Sequence, residues 1–120
     1  MSYPKVSIII PVYGVADYIS TCLDSVIAQD YSNIEVLLIN DCTPDDSMLI
    51  AKQIIAMYEG PIDFKIIDHQ TNQKQAAARN TGIRNASGEF LFFLDSDDKL
   101  SLYAISVLVN EAIDSGADVT

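Results

Sequence analysis

The sequence predicts an α/β protein in which one parallel sheet of about four strands is covered by helices. Two observations predict this fold class. Short apolar segments alternate along the chain with longer segments whose apolar residues recur at helical spacing. The last short segment, residues 90–94, is apolar throughout, which is typical of a strand buried on both faces of a parallel sheet. We therefore expect the helices to connect parallel strands through right-handed crossovers.

The strands are predicted from runs of β-branched and other apolar residues. The pairing of the first strand should end near Pro11, because proline has no backbone N–H to donate, and Gly14 begins the turn that follows. A further strand is expected to begin within residues 117–120. The four complete strands are expected at residues 5–13, 35–41, 64–68 and 90–94.

The helices are predicted from apolar residues that recur every three or four positions. Asp45 and Asp46 are expected to cap the N-terminus of the second helix and to interact favourably with the helix dipole. Gly82 lies inside the third helix at a cost of about 1 kcal/mol relative to alanine, which indicates a packing or substrate-approach reason. The helices are expected at residues 16–29, 45–58, 75–85 and 102–115.

Length and composition fit one modest folded domain. The chain has 120 residues, of which 49% are hydrophobic and 20% are charged. Its net charge of −10 argues against a nucleic-acid partner, although a nucleotide held through a metal is compatible with it. Cys22 and Cys42 lack metal-ligand spacing, and we expect both to be reduced, with Cys22 in the core.

The sequence shows no targeting or membrane signal. No apolar run reaches the roughly 20 residues that span a bilayer, and the N-terminus lacks the features of a signal peptide. We therefore expect a cytoplasmic location. Membrane association through a segment outside this stretch stays open, as does a homo-oligomer that pairs through a sheet edge.

Three carboxylates directly follow the fourth strand, at Asp95, Asp97 and Asp98. Side chains two apart in an extended chain point the same way, so Asp95 and Asp97 can face one point. Adjacent carboxylates repel, and a divalent cation removes that conflict. Oxygen ligands suit Mg²⁺ or Mn²⁺. The alternative is a solvated turn in which Asp98 or Ser101 caps the next helix.

The carboxyl ends of parallel strands share one edge of the sheet, which is where ligands bind in open α/β folds. Tyr13, Asp41 and the aspartates after the fourth strand should meet there, with Arg79 nearby. Tyr13 can stack on a base, Asp41 can accept a base N–H, and Arg79 can offset negative charge. Taken singly, Tyr13 can merely cover the edge, Arg79 can be a surface residue, and His69 is expected to be an ordinary loop residue.

Four segments in this order, residues 7–13, 35–41, 78–82 and 88–98, resemble motifs of the family 2 glycosyltransferases of GT-A fold. The resemblance covers about residues 4 to 102. It implies a Rossmann-like, mostly parallel sheet with flanking helices, as the N-terminal part of a GT-A fold. It also implies inverting transfer of a sugar from a nucleotide-diphosphate donor, often a UDP-sugar, to a glycan or lipid-linked acceptor.

The resemblance also implies roles in donor binding. Pro11 and Tyr13 would border the nucleobase, with Tyr13 stacking on it. Asp41 would bind the base, and Arg79 would contact the nucleotide. Two segments depart from the family pattern. Gly14 replaces the usual asparagine, and residues 40–43 read Asn-Asp-Cys-Thr in place of Asp-Asp-Gly-Ser.

For the metal, the resemblance implies that Asp97 is the direct ligand of Mn²⁺ or Mg²⁺ and that Asp95 lies near the ribose or a metal-bound water. The catalytic domain of this family is about twice as long as this chain. Its general base is an acidic residue in the second half. We therefore expect residues 1–120 to be a single truncated donor-binding domain, inactive alone, with the base beyond Thr120.

Three other functions fit the sequence less well. A phospho-receiver domain needs an acidic pair at the end of its first strand, where this chain has Pro11, Val12 and Tyr13. An aspartate-based phosphatase places its Asp-x-Asp motif after the first strand, whereas here the motif follows the fourth. A purely structural α/β module leaves the acidic sheet edge unexplained.

Overall fold

All four predicted strands form and pair in parallel. The computed structural model describes residues 3–115, so the strand expected within residues 117–120 lies outside the described residues. Strands and helices alternate along the chain as the sequence predicts. The elements are β1 (Val6–Val12), α1 (Ile19–Ile27), β2 (Ile34–Asn40), α2 (Ser47–Met57), β3 (Asp63–Asp68), α3 (Lys74–Asn85), β4 (Phe90–Phe93) and α4 (Ala104–Ser115).

The strand order in the sheet is β3-β2-β1-β4. β1 and β2 lie at the centre, and every residue of β1 is buried. The prediction that the fourth strand is buried on both faces is wrong. β4 is half-buried, and Phe93 is 39% exposed. The reason is its position, since β4 pairs with β1 on one side and with no other described strand.

The helices cover the two faces of the sheet unequally. The larger apolar cluster joins β1 and β2 to residues of α1, α2 and α4, such as Leu23, Ala51 and Ile105. The smaller cluster joins Ile9 of β1 to Ala78 of α3 on the opposite face. A Cβ atom at Gly82 would collide with the side chain of Ile9. The glycine in α3 therefore has a packing reason, because it lets this helix approach the sheet closely.

All four helices begin within three residues of their predicted starts, at positions that local hydrogen bonds explain for the first two. α1 begins at Ile19 instead of residue 16, because the backbone N–H groups of Tyr18 and Ile19 both bond to the carbonyl of Val15 in a tight turn. At α2, Asp45 Oδ1 accepts hydrogen bonds from the backbone N–H and the hydroxyl of Ser47. Asp46 makes no side-chain capping bond. The capping prediction therefore holds for Asp45 alone.

One charged side chain is fully buried at the amino ends of the strands. Glu35 of β2 accepts hydrogen bonds from Ser7 of β1 (2.6 Å), from Lys65 of β3 (2.6 Å) and from the backbone and hydroxyl of Ser87 before β4 (2.8 and 3.0 Å). This network links all four strands at the edge opposite to the strand ends that carry the aspartates. Within the described residues, no helix is long and apolar enough to cross a bilayer.

Candidate functional site

A cavity of about 470 Å³ opens at the carboxyl ends of β1, β2 and β4, beside the start of α3. Five of the six predicted site residues line it, and Arg79 lies behind it, against Asp95. The structure thus brings together residues that are up to 86 positions apart, while their roles stay predictions. The lining residues are Pro11, Tyr13, Val15, Asp41, Asn72, Lys74, Gln75, Asp95, Ser96 and Asp97.

Asp41 is buried at the end of β2, and the described residues bond to only one of its oxygens. Oδ1 accepts hydrogen bonds from Nδ1 of His69 (2.9 Å) and from the backbone N–H of Gln73 (2.8 Å). No residue that the structure describes donates to Oδ2. Because Asp41 lines the cavity, Oδ2 is the oxygen left for a ligand N–H.

His69 is a loop residue, as the sequence predicts, but its burial and its contacts were not predicted. Its side chain is 7% exposed and lies directly against Asp41. Its other ring nitrogen, Nε2, lies 2.8 Å from the hydroxyl of Thr81 on α3. The available signal was its position, one residue after the end of β3 and therefore at the same sheet edge as Asp41.

The three carboxylates after β4 form one cluster. Asp95, Asp97 and Asp98 each place an oxygen within 4.8 Å of the others. A turn closed by the backbone N–H of Asp98 and the carbonyl of Asp95 (2.9 Å) brings them together. In the alternative interpretation, Asp98 or Ser101 would cap the last helix, but α4 begins only at Ala104, so Asp98 does not lie at its start.

The cluster fits a hard divalent cation. Its donors are all carboxylate oxygens, which Mg²⁺ and Mn²⁺ prefer, and none of the described residues donates a hydrogen bond to the carboxylate of Asp97 or Asp98. The negative charge of the cluster also affects a nearby buried thiol. Burial raises the pKa of Cys22 to about 12, and the charges of Asp98 and Asp97 add to the rise.

Asp95 differs from its neighbours because α3 holds it. Its Oδ1 accepts a hydrogen bond from the side-chain amide of Gln75 (2.9 Å) and a longer one from Arg79 (3.4 Å). The guanidinium of Arg79 also lies over the ring of Phe93, 5.8 Å from its centroid. Arg79, expected to contact the nucleotide, therefore contacts Asp95 in this structure and orients that carboxylate.

Two residues next to the cavity adopt the left-handed backbone conformation that favours glycine. These are Cys42, with φ of 58°, and Lys74, with φ of 74°. Cys42 occupies the glycine position of the usual Asp-Asp-Gly-Ser motif, so the structure explains why that motif carries glycine. The altered loop is held by Thr43, whose hydroxyl accepts a hydrogen bond from the backbone N–H of Gly14 (2.8 Å).

Cys42→Gly is expected to raise the free energy of unfolding by up to about 1 kcal/mol. A left-handed L-residue costs roughly 1–2 kcal/mol, and the greater freedom of glycine in the unfolded chain offsets part of the gain. Urea unfolding measures the difference. Cys42→Ala is the matched control, because it removes the thiol and keeps the Cβ atom. An equal gain in both variants would contradict the backbone explanation.

Residues 7–120 match the protein-family model described as Glycosyl transferase family 2. The chain belongs to this family. It is 39% identical over 116 residues to Glycosyltransferase GlyA of Streptococcus pneumoniae, covering 96% of this chain and 16% of that protein. It is 40% identical over 117 residues to the uncharacterized glycosyltransferase EpsJ of Bacillus subtilis, covering 97% and 33%. The chain thus spans a third or less of these two relatives.

Solved structures confirm the GT-A fold predicted for this family 2 chain. The crystal structure of S. aureus TarS in complex with UDP superposes with a TM-score of 0.82 at 27% identity, covering 92% of this chain and 32% of that one. The mannosyltransferase PcManGT from Pyrobaculum calidifontis, in complex with GDP-Man and Mn²⁺, gives 0.81 at 25% identity, again covering 92% of this chain and 32% of that one.

Proposed function

We propose that this chain is the donor-binding part of an inverting, metal-assisted glycosyltransferase that uses a UDP-sugar and a glycan or lipid-linked hydroxyl acceptor. The observation that supports the proposal most directly is that Tyr13 and Asp41 line the same cavity as Asp95 and Asp97. A base-binding end and a cation-binding end at one sheet edge match a nucleoside diphosphate bound through a metal. The complexes of TarS with UDP and of PcManGT with GDP-Man and Mn²⁺ support it.

At the base end, each residue has a distinct task in this proposal. Pro11 and Tyr13 border the nucleobase, and the ring of Tyr13, which is 48% exposed, stacks on it. Asp41 accepts a ring N–H of the base through Oδ2. Lys74 is the one cation among the lining residues, and it offsets part of the phosphate charge.

At the cation end, Asp97 is the direct ligand of Mn²⁺ or Mg²⁺, and Asp95 lies toward the ribose or a metal-bound water. Arg79 and Gln75 hold the Asp95 carboxylate in place. When bound, the metal stabilises the charge that develops on the leaving diphosphate.

The proton of the acceptor hydroxyl needs a general base, and we assign it to no residue of this chain. Asp41 and Asp95 are held by hydrogen bonds within the donor site, and Asp97 serves the metal in this proposal. We place the base and the acceptor site in the parts of the longer relatives that this chain does not match. The chain alone should therefore bind donor without transferring sugar.

Two further points belong to the proposal. A cytoplasmic location, expected from the sequence, is part of the proposal. The phospho-receiver and phosphatase alternatives find no support in the site, because β1 ends at Val12 without an acidic residue.

Calorimetric titration tests the proposal. UDP is expected to bind much more tightly with Mn²⁺ than without it, and more tightly than ADP or GDP under the same conditions. A preference for GDP would change the donor and keep the reaction class. Failure of all three nucleotides to bind in the presence of Mn²⁺ would contradict the proposed function.

A further inference from the structure

His69 is a buried side chain that donor binding, as proposed above, does not yet use. Both of its ring nitrogens are engaged, Nδ1 with Asp41 (2.9 Å) and Nε2 with Thr81 (2.8 Å). Its backbone N–H donates to the carbonyl of Asn40 (2.8 Å). The imidazole is therefore fixed between the end of β2 and α3, and it has little freedom to rotate.

Thr81 anchors the far side of the ring. Its hydroxyl oxygen lies 3.0 Å from the carbonyl of Ala77 and accepts a hydrogen bond from Arg84 (3.2 Å), so α3 holds it on two sides. Thr81 itself is 7% exposed. His69 thus connects the packed helix α3 to the carboxylate of Asp41 and fixes the carboxylate relative to that helix.

The contact with Asp41 determines which carboxylate oxygen is free. A carboxylate only accepts hydrogen bonds, so Nδ1 of His69 carries the proton that points at Oδ1. The backbone N–H of Gln73 shares the same oxygen. Together they occupy Oδ1 and fix the rotation of the carboxylate, which is otherwise a soft torsion. Oδ2 is left facing the cavity in a defined direction.

We propose that His69 is a positioning residue that sets base selectivity by holding Asp41 with Oδ2 toward the nucleobase. This inference rests on the proposed function. A fixed carboxylate oxygen accepts the ring N–H of uracil, whereas the corresponding ring nitrogen of cytosine is an acceptor and is repelled. Discrimination is large when the polar groups of a site cannot rearrange around the wrong base. A carboxylate held by Gln73 alone can turn away from cytosine and loses that discrimination.

Two amide variants of His69 distinguish the contact made by Nδ1 from the contact made by Nε2. In His69→Asn the side-chain amide nitrogen takes the place of Nδ1 and can still donate to Asp41. In His69→Gln the amide nitrogen takes the place of Nε2 and reaches only toward Thr81. The measurement is the affinity for UDP and for CDP, each with Mn²⁺, and the ratio between them.

His69→Gln and His69→Ala are expected to weaken UDP binding about tenfold, which is the effect of losing one orienting hydrogen bond, and to bring the CDP-to-UDP ratio of dissociation constants close to one. His69→Asn is expected to keep most of the selectivity. Val109→Ala is the control, because it removes buried methyl groups from α4, which contributes no lining residue, and should lower thermal stability without changing the ratio.

The outcomes separate this inference from the function on which it rests. If the unaltered chain binds UDP selectively and all three His69 variants keep its ratio, the positioning role is overturned and the proposed function stands. Equal losses in His69→Asn and His69→Gln would also overturn it, because the contact through Nδ1 would then not be decisive. If the unaltered chain binds none of these nucleotides, the proposed function fails and this inference fails with it.

Discussion

Asp97→Ala is expected to abolish the metal-dependent part of UDP binding. Asp97 belongs to the cluster of three carboxylates after β4, and no hydrogen bond from the described residues competes for its oxygens. Loss of an outer-shell partner of a metal ligand already costs about 10- to 100-fold in metal affinity, and loss of the ligand itself should cost at least as much. Titration of UDP with and without Mn²⁺ should therefore give equal, weak binding in this variant.

The matched control is Asp46→Ala, which removes the same charge from an exposed position without a side-chain capping bond. It should leave the Mn²⁺ dependence of UDP binding unchanged. This result would distinguish the loss of a metal ligand from the loss of one negative charge in a chain with net charge −10. Asp97 is the better site for this test than Asp95, whose carboxylate also holds Gln75 and Arg79. Undiminished metal dependence in Asp97→Ala would refute the assignment of Asp97 as the ligand.

The fold could be predicted because its main features are local. Alternating apolar runs and helical periodicities determine the order of strands and helices, and short crossovers leave few arrangements of parallel strands. The exposure of Phe93 could not be predicted in this way. Whether a strand is buried on both sides depends on what pairs with its second edge, and that information does not lie in the strand's own residues.

The same distinction between local and non-local features applies to the site. Residues at strand ends, such as Tyr13, Asp41 and Asp97, could be placed together because parallel strands share one carboxyl edge. The positions of His69 and Asp98 depend instead on loop conformation. His69 turns back onto Asp41, and the turn after β4 brings Asp98 to Asp95. Periodicity contains no information about either turn.

Glu35→Gln is expected to lower the free energy of unfolding by about 3–5 kcal/mol at neutral pH, which is the usual cost of breaking a buried charged network by removing one partner. The carboxylate accepts hydrogen bonds from Ser7, Lys65 and Ser87 and is fully buried. The amide would keep the shape but turn one acceptor into a donor that faces other donors. Glu59→Gln, at an exposed position after α2, is the control and should change stability little.

The pH dependence of stability gives an independent test of the same network. Burial raises the pKa of Glu35, but the hydrogen bonds from Lys65, Ser7 and Ser87 outweigh it and hold the pKa at about 2, below its ordinary value of 4.5. Because the pKa is lower in the folded than in the unfolded chain, the stabilisation is complete above about pH 4.5 and is lost as the pH falls toward 2. Urea unfolding across this range should show the difference between the unaltered chain and Glu35→Gln shrinking on acidification. A difference that stays constant down to pH 2 would mean that the charge of Glu35 does not hold the four strands together.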